Sequence, residues 1–174
     1  AIRARLPDLA RRRRWFDAVI DGPVLALLRE GRAEAAAQAF ASQLERAHEE
    51  PGGGRASLVG TGPGDPGQLS LAGLRAMNLA DVLLVDPGVG DAVLALARKD
   101  APREPAPADP ETCAALVRGH ADAGRHVVWL RPGDGFREPP YAALAAALAD
   151  APWPCELHPG IAASPDAPGP LAPD

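Results

Sequence analysis

Three glycines spaced as G-x-G-x-x-G lie between an apolar run and a helix-like pattern near the middle of the 174-residue chain. They are Gly62, Gly64 and Gly67. In dinucleotide-binding folds such a loop follows a strand and opens a helix, whose N–H groups and dipole hold a pyrophosphate. Asp86 ends the next apolar run about twenty residues later, where those folds place an acidic residue. The spacing therefore makes an NAD-dependent oxidoreductase one hypothesis.

The residues between these glycines argue against a pyrophosphate. Pro63 and Pro66 each lack an N–H donor, and Asp65 places a carboxylate where the phosphates would lie. The loop suits a ligand that is neutral or cationic at this point. A tight turn that binds no ligand has equal weight here, because a bare glycine pattern is a weak signal.

Composition narrows the class of protein. Hydrophobic residues make up 47% of the chain and charged residues 24%, as in ordinary globular proteins. The net charge of −5 speaks against nucleic-acid binding, and no apolar run reaches the roughly 18 to 20 residues of a membrane span. Cys113, Cys155 and the four histidines show no metal-ligand spacing. We expect a cytoplasmic protein with reduced thiols, no metal and no membrane partner.

Changes in composition divide the chain into segments. Residues 1–50 read as a helical segment, 51–55 as a Pro/Gly linker, 56–163 as an α/β domain and 164–174 as a disordered tail. The sequence opens without Met and inside a helix-like pattern, so we expect it to be a fragment of a longer protein.

The α/β domain is predicted from alternating periodicities. Strands are predicted at 56–60, 81–86, 126–130 and 154–161, and helices at 70–80, 90–100, 110–124 and 141–151. Ser70 is a candidate N-cap, and the proline-rich residues 101–110 are predicted to form a loop. Strands that alternate with helices favour a mostly parallel sheet with helices on its faces.

Three motifs together resemble a known family. Residues 59–86, VGTGPGDPGQLSLAGLRAMNLADVLLVD, are similar to the first motif of uroporphyrinogen-III C-methyltransferases and the wider tetrapyrrole methylase family. Residues 124–136 (GRHVVWLRPGDGF) and 155–163 (CELHPGIAA) resemble two later motifs, in the family's order. The resemblance implies the N-terminal half of a methylase, with a mostly parallel sheet and flanking helices.

The N-terminal part carries a second resemblance. Residues 3–47 are similar to the helical segment of siroheme synthases that closes their precorrin-2 dehydrogenase/ferrochelatase module. Trp15 and Phe16 are then expected to be core or dimer contacts in a homodimer. The combined resemblance implies methyl transfer from S-adenosylmethionine to uroporphyrinogen III, giving precorrin-2 in siroheme biosynthesis. This cosubstrate carries a sulfonium cation and no phosphate, which agrees with the objection to a pyrophosphate.

The resemblance also assigns individual residues. Asp86 matches the family's proton acceptor, a role that a carboxylate fills when it lies within hydrogen-bond reach of the proton. The positions that match cofactor-binding residues are Pro63, Gly133, Asp134, Ala162 and Ala163.

Several positions depart from the family pattern. Pro132 replaces the first glycine of the family's G-G-D, and no lysine stands where the family has its proton donor, since Lys99 falls too early. The family's second α/β domain does not follow within this sequence. A non-catalytic methylase remnant, serving as a dimerisation platform for a precorrin-2 dehydrogenase/ferrochelatase, is therefore the alternative hypothesis.

Overall fold

The computed structural model describes residues 2, 12, 15, 16, 18–20, 22–49 and 53–162. The chain divides into two compact units, Ala1–Gly53 and Gly54–Asp174. The predicted tail at 164–174 lies outside the described residues.

The first unit is helical wherever the structure describes residues 2–20. Helix α1 spans Pro23–Arg29 and helix α2 spans Ala33–Glu49. Proline opens α1, because its missing N–H and fixed φ suit the first turn of a helix. Trp15 is buried and packs edge-on against the ring of Phe40, so it is a core residue of this unit, as predicted.

The second unit alternates strands with helices. Its strands are β1 (Arg55–Gly60), β2 (Val82–Val85), β3 (Arg103–Pro105), β4 (His126–Arg131) and β5 (Cys155–His158). Its helices are α3 (Leu71–Leu79), α4 (Asp91–Leu94), α5 (Pro110–Asp122) and α6 (Tyr141–Ala149).

The five strands form one parallel sheet in the order β3-β2-β4-β1-β5. One face packs against α5 and α6 around Leu58 and Trp129, and the other packs against α3 and α4 around Met77 and Val128. β1 and β4 lie in the middle and are buried on both faces, as their continuous apolar runs require. The predicted parallel α/β fold is confirmed.

Three details differ from the prediction. Arg55, the last residue of the predicted linker, begins β1, and residues 103–105 of the predicted loop form β3. A strand can carry Pro105 here because β3 lies at the sheet edge, where one side of the backbone needs no partner. Helix α4 ends at Leu94, well before residue 100. The turns that follow it close through hydrogen bonds between residues three apart, such as that from the Ala97 amide to the Leu94 carbonyl.

Candidate functional site

Three loops meet where β1, β4 and β5 end. Gly62 and Gly133 exchange backbone hydrogen bonds, with N···O distances of 3.0 and 2.8 Å. Gly133 has φ +65°, a conformation that favours glycine. A Cβ on Gly160 would overlap the carbonyl oxygen of Gly133, so only glycine allows this approach. These contacts bring the three motifs of the sequence together in space.

The G-x-G-x-x-G loop does not lead directly into a helix. A short 3₁₀ turn, Pro66–Gln68, separates its last glycine from α3, and Asp65 accepts a hydrogen bond from the Gly67 amide at 2.8 Å. Ser70 caps α3 by accepting from the Gly73 amide at 3.0 Å, as predicted. The amide of Gly67 is therefore already bonded within the loop, and the 3₁₀ turn separates the glycines from the N-terminus of α3, unlike the direct loop-to-helix connection of a pyrophosphate cradle.

A pocket of about 360 Å³ opens beside these loops. We call it the carboxyl-end pocket; Arg131, Asp134, Tyr141 and Ala162 are among the residues that line it. Asp134 and Ala162, both predicted cofactor-binding residues, thus share one pocket although they follow different strands. The Asp134 side chain is only 14% exposed and lies 3.3 Å from the guanidinium of Arg137.

Asp86 belongs to a buried polar group next to this pocket. Its Oδ1 accepts a hydrogen bond from Trp129 Nε1 at 2.6 Å, and its Oδ2 contacts Arg131. The guanidinium of Arg131 lies 3.2 Å from the ring centroid of Tyr141. We call Asp86, Trp129, Arg131 and Tyr141 the carboxyl-end cluster. Burial raises the pKa of Asp86 above its ordinary value, while the bonds from Trp129 and Arg131 oppose that rise.

Sequence reasoning missed Arg131 and Tyr141. Val85 of β2 pairs with Leu130 of β4, so the residues that follow them, Asp86 and Arg131, are neighbours. Opposite charges at the ends of two predicted apolar strands were the available signal. This signal could be used only with the knowledge that β2 and β4 are adjacent in the sheet. The order of the strands along the chain does not give that adjacency, because β4 pairs with β1 as well as with β2.

A second buried polar group lies near the amino ends of the strands. Ser57 Oγ is 3.0 Å from His126 Nε2, and His126 Nδ1 is 3.2 Å from the carbonyl oxygen of Leu79. The amide of His126 donates to the Asp81 carboxylate at 2.8 Å. We call Ser57, His126, Asp81 and the Leu79 carbonyl the amino-end cluster. It borders a second pocket of about 320 Å³, which is also lined by Arg55, Glu156 and His158.

The other candidate residues are more scattered. Pro63 is exposed on the glycine loop, Lys99 is exposed beyond α4, and Ala163 lies outside the described residues. Across residues 53–162 and the described part of the helical unit, no cluster of His, Cys, Asp or Glu could hold a metal ion. Within the same residues, no helix is long and apolar enough to cross a bilayer.

Comparison with family models gives two matches. The model for tetrapyrrole (corrin/porphyrin) methylases matches residues 56–169, well over half of the chain. The model for the sirohaem synthase dimerisation region matches residues 1–44. The two matches fall on either side of the boundary between the two compact units.

Curated relatives and solved structures agree with these matches. The chain is 39% identical over 145 residues to a siroheme synthase of Neisseria meningitidis serogroup B and 42% identical over 143 residues to one of Xylella fastidiosa. Each alignment covers 78% of this chain but only 30% of the relative. A uroporphyrin-III C-methyltransferase from Thermus thermophilus is similar with a TM-score of 0.57 and 36% identity, covering 63% of this chain and 48% of that one. Another structure of that enzyme, complexed with S-adenosyl homocysteine, is 35% identical with a TM-score of 0.56, covering 63% of this chain and 49% of that one.

Proposed function

Because this chain belongs to the tetrapyrrole (corrin/porphyrin) methylases, we propose that its α/β unit binds S-adenosylmethionine and takes part in methylating uroporphyrinogen III to precorrin-2 in siroheme biosynthesis. The observation that carries this proposal is the carboxyl-end pocket. Two motif residues, Asp134 and Ala162, line it although they follow different strands. The siroheme synthase relatives and the methyltransferase complexed with S-adenosyl homocysteine support the same ligand and pathway.

The charges around the pocket suit a cationic ligand. Arg131 is paired with Asp86, so its charge is already balanced. The remaining charged lining residues are Arg137, Asp134 and Glu138, which leave an excess of one negative charge. S-adenosylmethionine carries a sulfonium and an ammonium group, and a volume of about 360 Å³ lies within the range of small-molecule pockets. The residues present therefore fit this group.

Individual roles follow from this fit. Asp134 and Ala162 would hold the cosubstrate, with Gly133, Pro63 and Ala163 completing its site as the motifs suggest. When bound, the sulfonium supplies an electrophilic methyl group. Asp86 would accept a proton from the substrate, and its raised pKa makes it a stronger base than an ordinary aspartate.

Calorimetric titration with S-adenosylhomocysteine tests the proposal. We expect saturable binding to the wild-type chain and a weakening of roughly 10- to 100-fold in Asp134→Ala, since hydrogen bonds to charged groups contribute about 1.5–3 kcal/mol. Asp150→Ala is the matched control, because Asp150 is exposed at the far end of α6. Absence of binding at millimolar ligand, or equal binding by Asp134→Ala, would reject a cosubstrate site in this pocket.

The first unit supports a second function, assembly of two copies. It matches the sirohaem synthase dimerisation region, and its helices expose the apolar side chains of Phe16, Ile20 and Leu28. Exposed apolar residues mark a protein–protein interface where they form a contiguous patch, and the match to a dimerisation region favours that interpretation here. Such assembly is also compatible with the alternative hypothesis, a non-catalytic methylase remnant that serves as a dimerisation platform.

Size-exclusion chromatography with light scattering tests assembly. We expect a dimer for the wild type and a monomer for Ile20→Arg, because Ile20 is 58% exposed and a buried unpaired charge opposes association. Arg32→Ala is the control, since Arg32 is exposed and already charged. A monomeric wild type at micromolar concentration would contradict the dimer, whereas dimerisation without cosubstrate binding would favour the non-catalytic remnant.

We also propose the cytoplasm as the location. Cys113 and Cys155 are free thiols, and burial raises their pKa values to about 12 and about 11, so both stay protonated. Free cysteines fit a reducing compartment. Mass spectrometry of protein taken from its own cells and alkylated under denaturing conditions, where both thiols are accessible, would find both cysteines alkylated, and a disulfide would contradict this location.

A further inference from the structure

Arg131 is held by three different partners at the end of β4. Its Nε donates to the carbonyl oxygen of Gly135 at 2.7 Å, its terminal nitrogen contacts Asp86, and its guanidinium stacks on the ring of Tyr141. Its side chain is only 14% exposed and lines the carboxyl-end pocket. We infer that Arg131, whose guanidinium lies over the ring of Tyr141, is a positioning residue that fixes the Asp86 carboxylate and keeps it ionised beside the pocket. The catalytic meaning of this inference rests on the proposed function.

The two oxygens of Asp86 have different donors. Trp129 binds Oδ1 and Arg131 binds Oδ2, so together they fix the plane of the carboxylate. Trp129 is a neutral donor, whereas Arg131 also supplies a positive charge. Without Arg131, the Asp86 carboxylate would be oriented by the Trp129 hydrogen bond alone, and it would lose the positive charge that lies against it.

Trp129 and Arg131 both oppose the cost of burying Asp86. Burial favours the protonated carboxyl, while the charge and hydrogen bond of Arg131 favour the carboxylate. The other titratable group that interacts with Asp86 is Cys113 on α5, whose thiol is neutral because its own pKa is about 12. Trp129 opposes burial through its hydrogen bond alone, whereas Arg131 opposes it through both its charge and a hydrogen bond.

Tyr141 gives Arg131 a fixed platform. It is the first residue of α6, and its ring faces the guanidinium at a distance typical of cation–π stacking. The ring also packs edge-on against Trp129, with 6.0 Å between centroids. The stacking uses the ring and not the hydroxyl, which allows a matched pair of variants, Tyr141→Phe and Tyr141→Leu.

NMR titration of the Asp86 side-chain carboxyl in ¹³C-labelled full-length chain tests the inference. In Arg131→Met we expect the pKa of Asp86 to rise by about 1–3 units relative to wild type, as when a nearby opposite charge is lost. Arg131→Lys keeps a positive charge and is expected to restore most of the wild-type value. Tyr141→Leu is expected to raise the pKa of Asp86 and Tyr141→Phe to leave it unchanged.

Two results would overturn the inference. One is an unchanged Asp86 pKa in a folded Arg131→Met, and the other is an equal rise in Arg131→Lys. Thermal unfolding identifies any variant that fails to fold, and Arg131→Gln then takes the place of Arg131→Met. Binding of S-adenosylhomocysteine to the wild type tests the proposed function separately, so either conclusion can fail without the other.

Discussion

The two buried polar clusters of the sheet satisfy their polar atoms in different ways. In the amino-end cluster the His126 ring lies between the Ser57 hydroxyl and the Leu79 carbonyl oxygen, and the Asp81 carboxylate accepts a hydrogen bond from the backbone amide of His126. In the carboxyl-end cluster a carboxylate and a guanidinium are buried together. Both clusters border a pocket, but in the carboxyl-end cluster the carboxylate is bonded to a charged side chain, whereas in the amino-end cluster it is bonded to a backbone amide.

The energetic reason lies in the cost of burial. A neutral hydrogen bond contributes about 0.5–1.5 kcal/mol to stability, and a buried ion pair often contributes little because both ions lose water. Breaking such a pair is nevertheless costly, since the remaining charge stays buried. The buried pair of Asp86 and Arg131 is therefore not expected to be present mainly for stability, and its position at the ends of two strands fits a functional role.

The largest expected effect is the loss of Asp86. Asp86→Ala would leave the Arg131 guanidinium without its carboxylate partner and the Trp129 N–H without its acceptor. We expect the free energy of unfolding to fall by about 3 kcal/mol, the lower end of the range for broken buried pairs. Urea unfolding followed by the amide NMR signals of β4 measures it, with Asp150→Ala as the surface control. A loss below about 1 kcal/mol would erase the contrast between the clusters.

A smaller loss is expected for the amino-end cluster. Ser57→Ala removes the hydroxyl next to His126 Nε2, and an unsatisfied buried nitrogen costs about 1–3 kcal/mol. The same urea unfolding measures this loss. Binding of S-adenosylhomocysteine by the folded variant is expected to stay unchanged, because Ser57 borders the second pocket and not the carboxyl-end pocket. A tenfold weaker affinity with retained stability would show that both clusters serve binding.

The smallest effect concerns the pH dependence of the carboxyl-end cluster. Burial raises the pKa of Asp86 above 3.8, so the folded protein holds this proton more tightly than the unfolded chain. The stability that this carboxyl contributes is present in full below its unfolded pKa and is lost as the pH rises through the folded value. The unfolding free energy of wild type minus that of Asp86→Asn should therefore decrease as the pH rises above 3.8. An increase would mean that Arg131 and Trp129 outweigh burial.

Local sequence predicted local structure well. Ser70 caps α3 as its position before an apolar helix suggested, and the parallel α/β architecture followed from alternating periodicities. Both depend on groups within a few residues of one another. β3 was missed because three residues rich in proline have no periodicity, and they become a strand only by pairing with β2.

The candidate site was predicted in part. The motifs selected Asp86, Asp134 and Ala162, and two of these line one pocket. Their roles as proton acceptor and cofactor-binding residues stay predictions. Arg131 and Tyr141 were not selected, because their importance comes from contacts with residues far away in the sequence.

The family, four of the five strands and a glycine loop unsuited to a pyrophosphate could be inferred from the amino-acid sequence, since all of these depend on residue types at short spacing. The adjacency of β2 and β4, and with it the contacts of Asp86 with Trp129 and Arg131, follows from the folded sheet and not from any sequence pattern. Strand adjacency is set by how helices cover both faces of the sheet, which no local spacing encodes. The glycine loop likewise contacts Gly133, which in turn contacts Gly160, only because β1, β4 and β5 end at the same edge of the sheet.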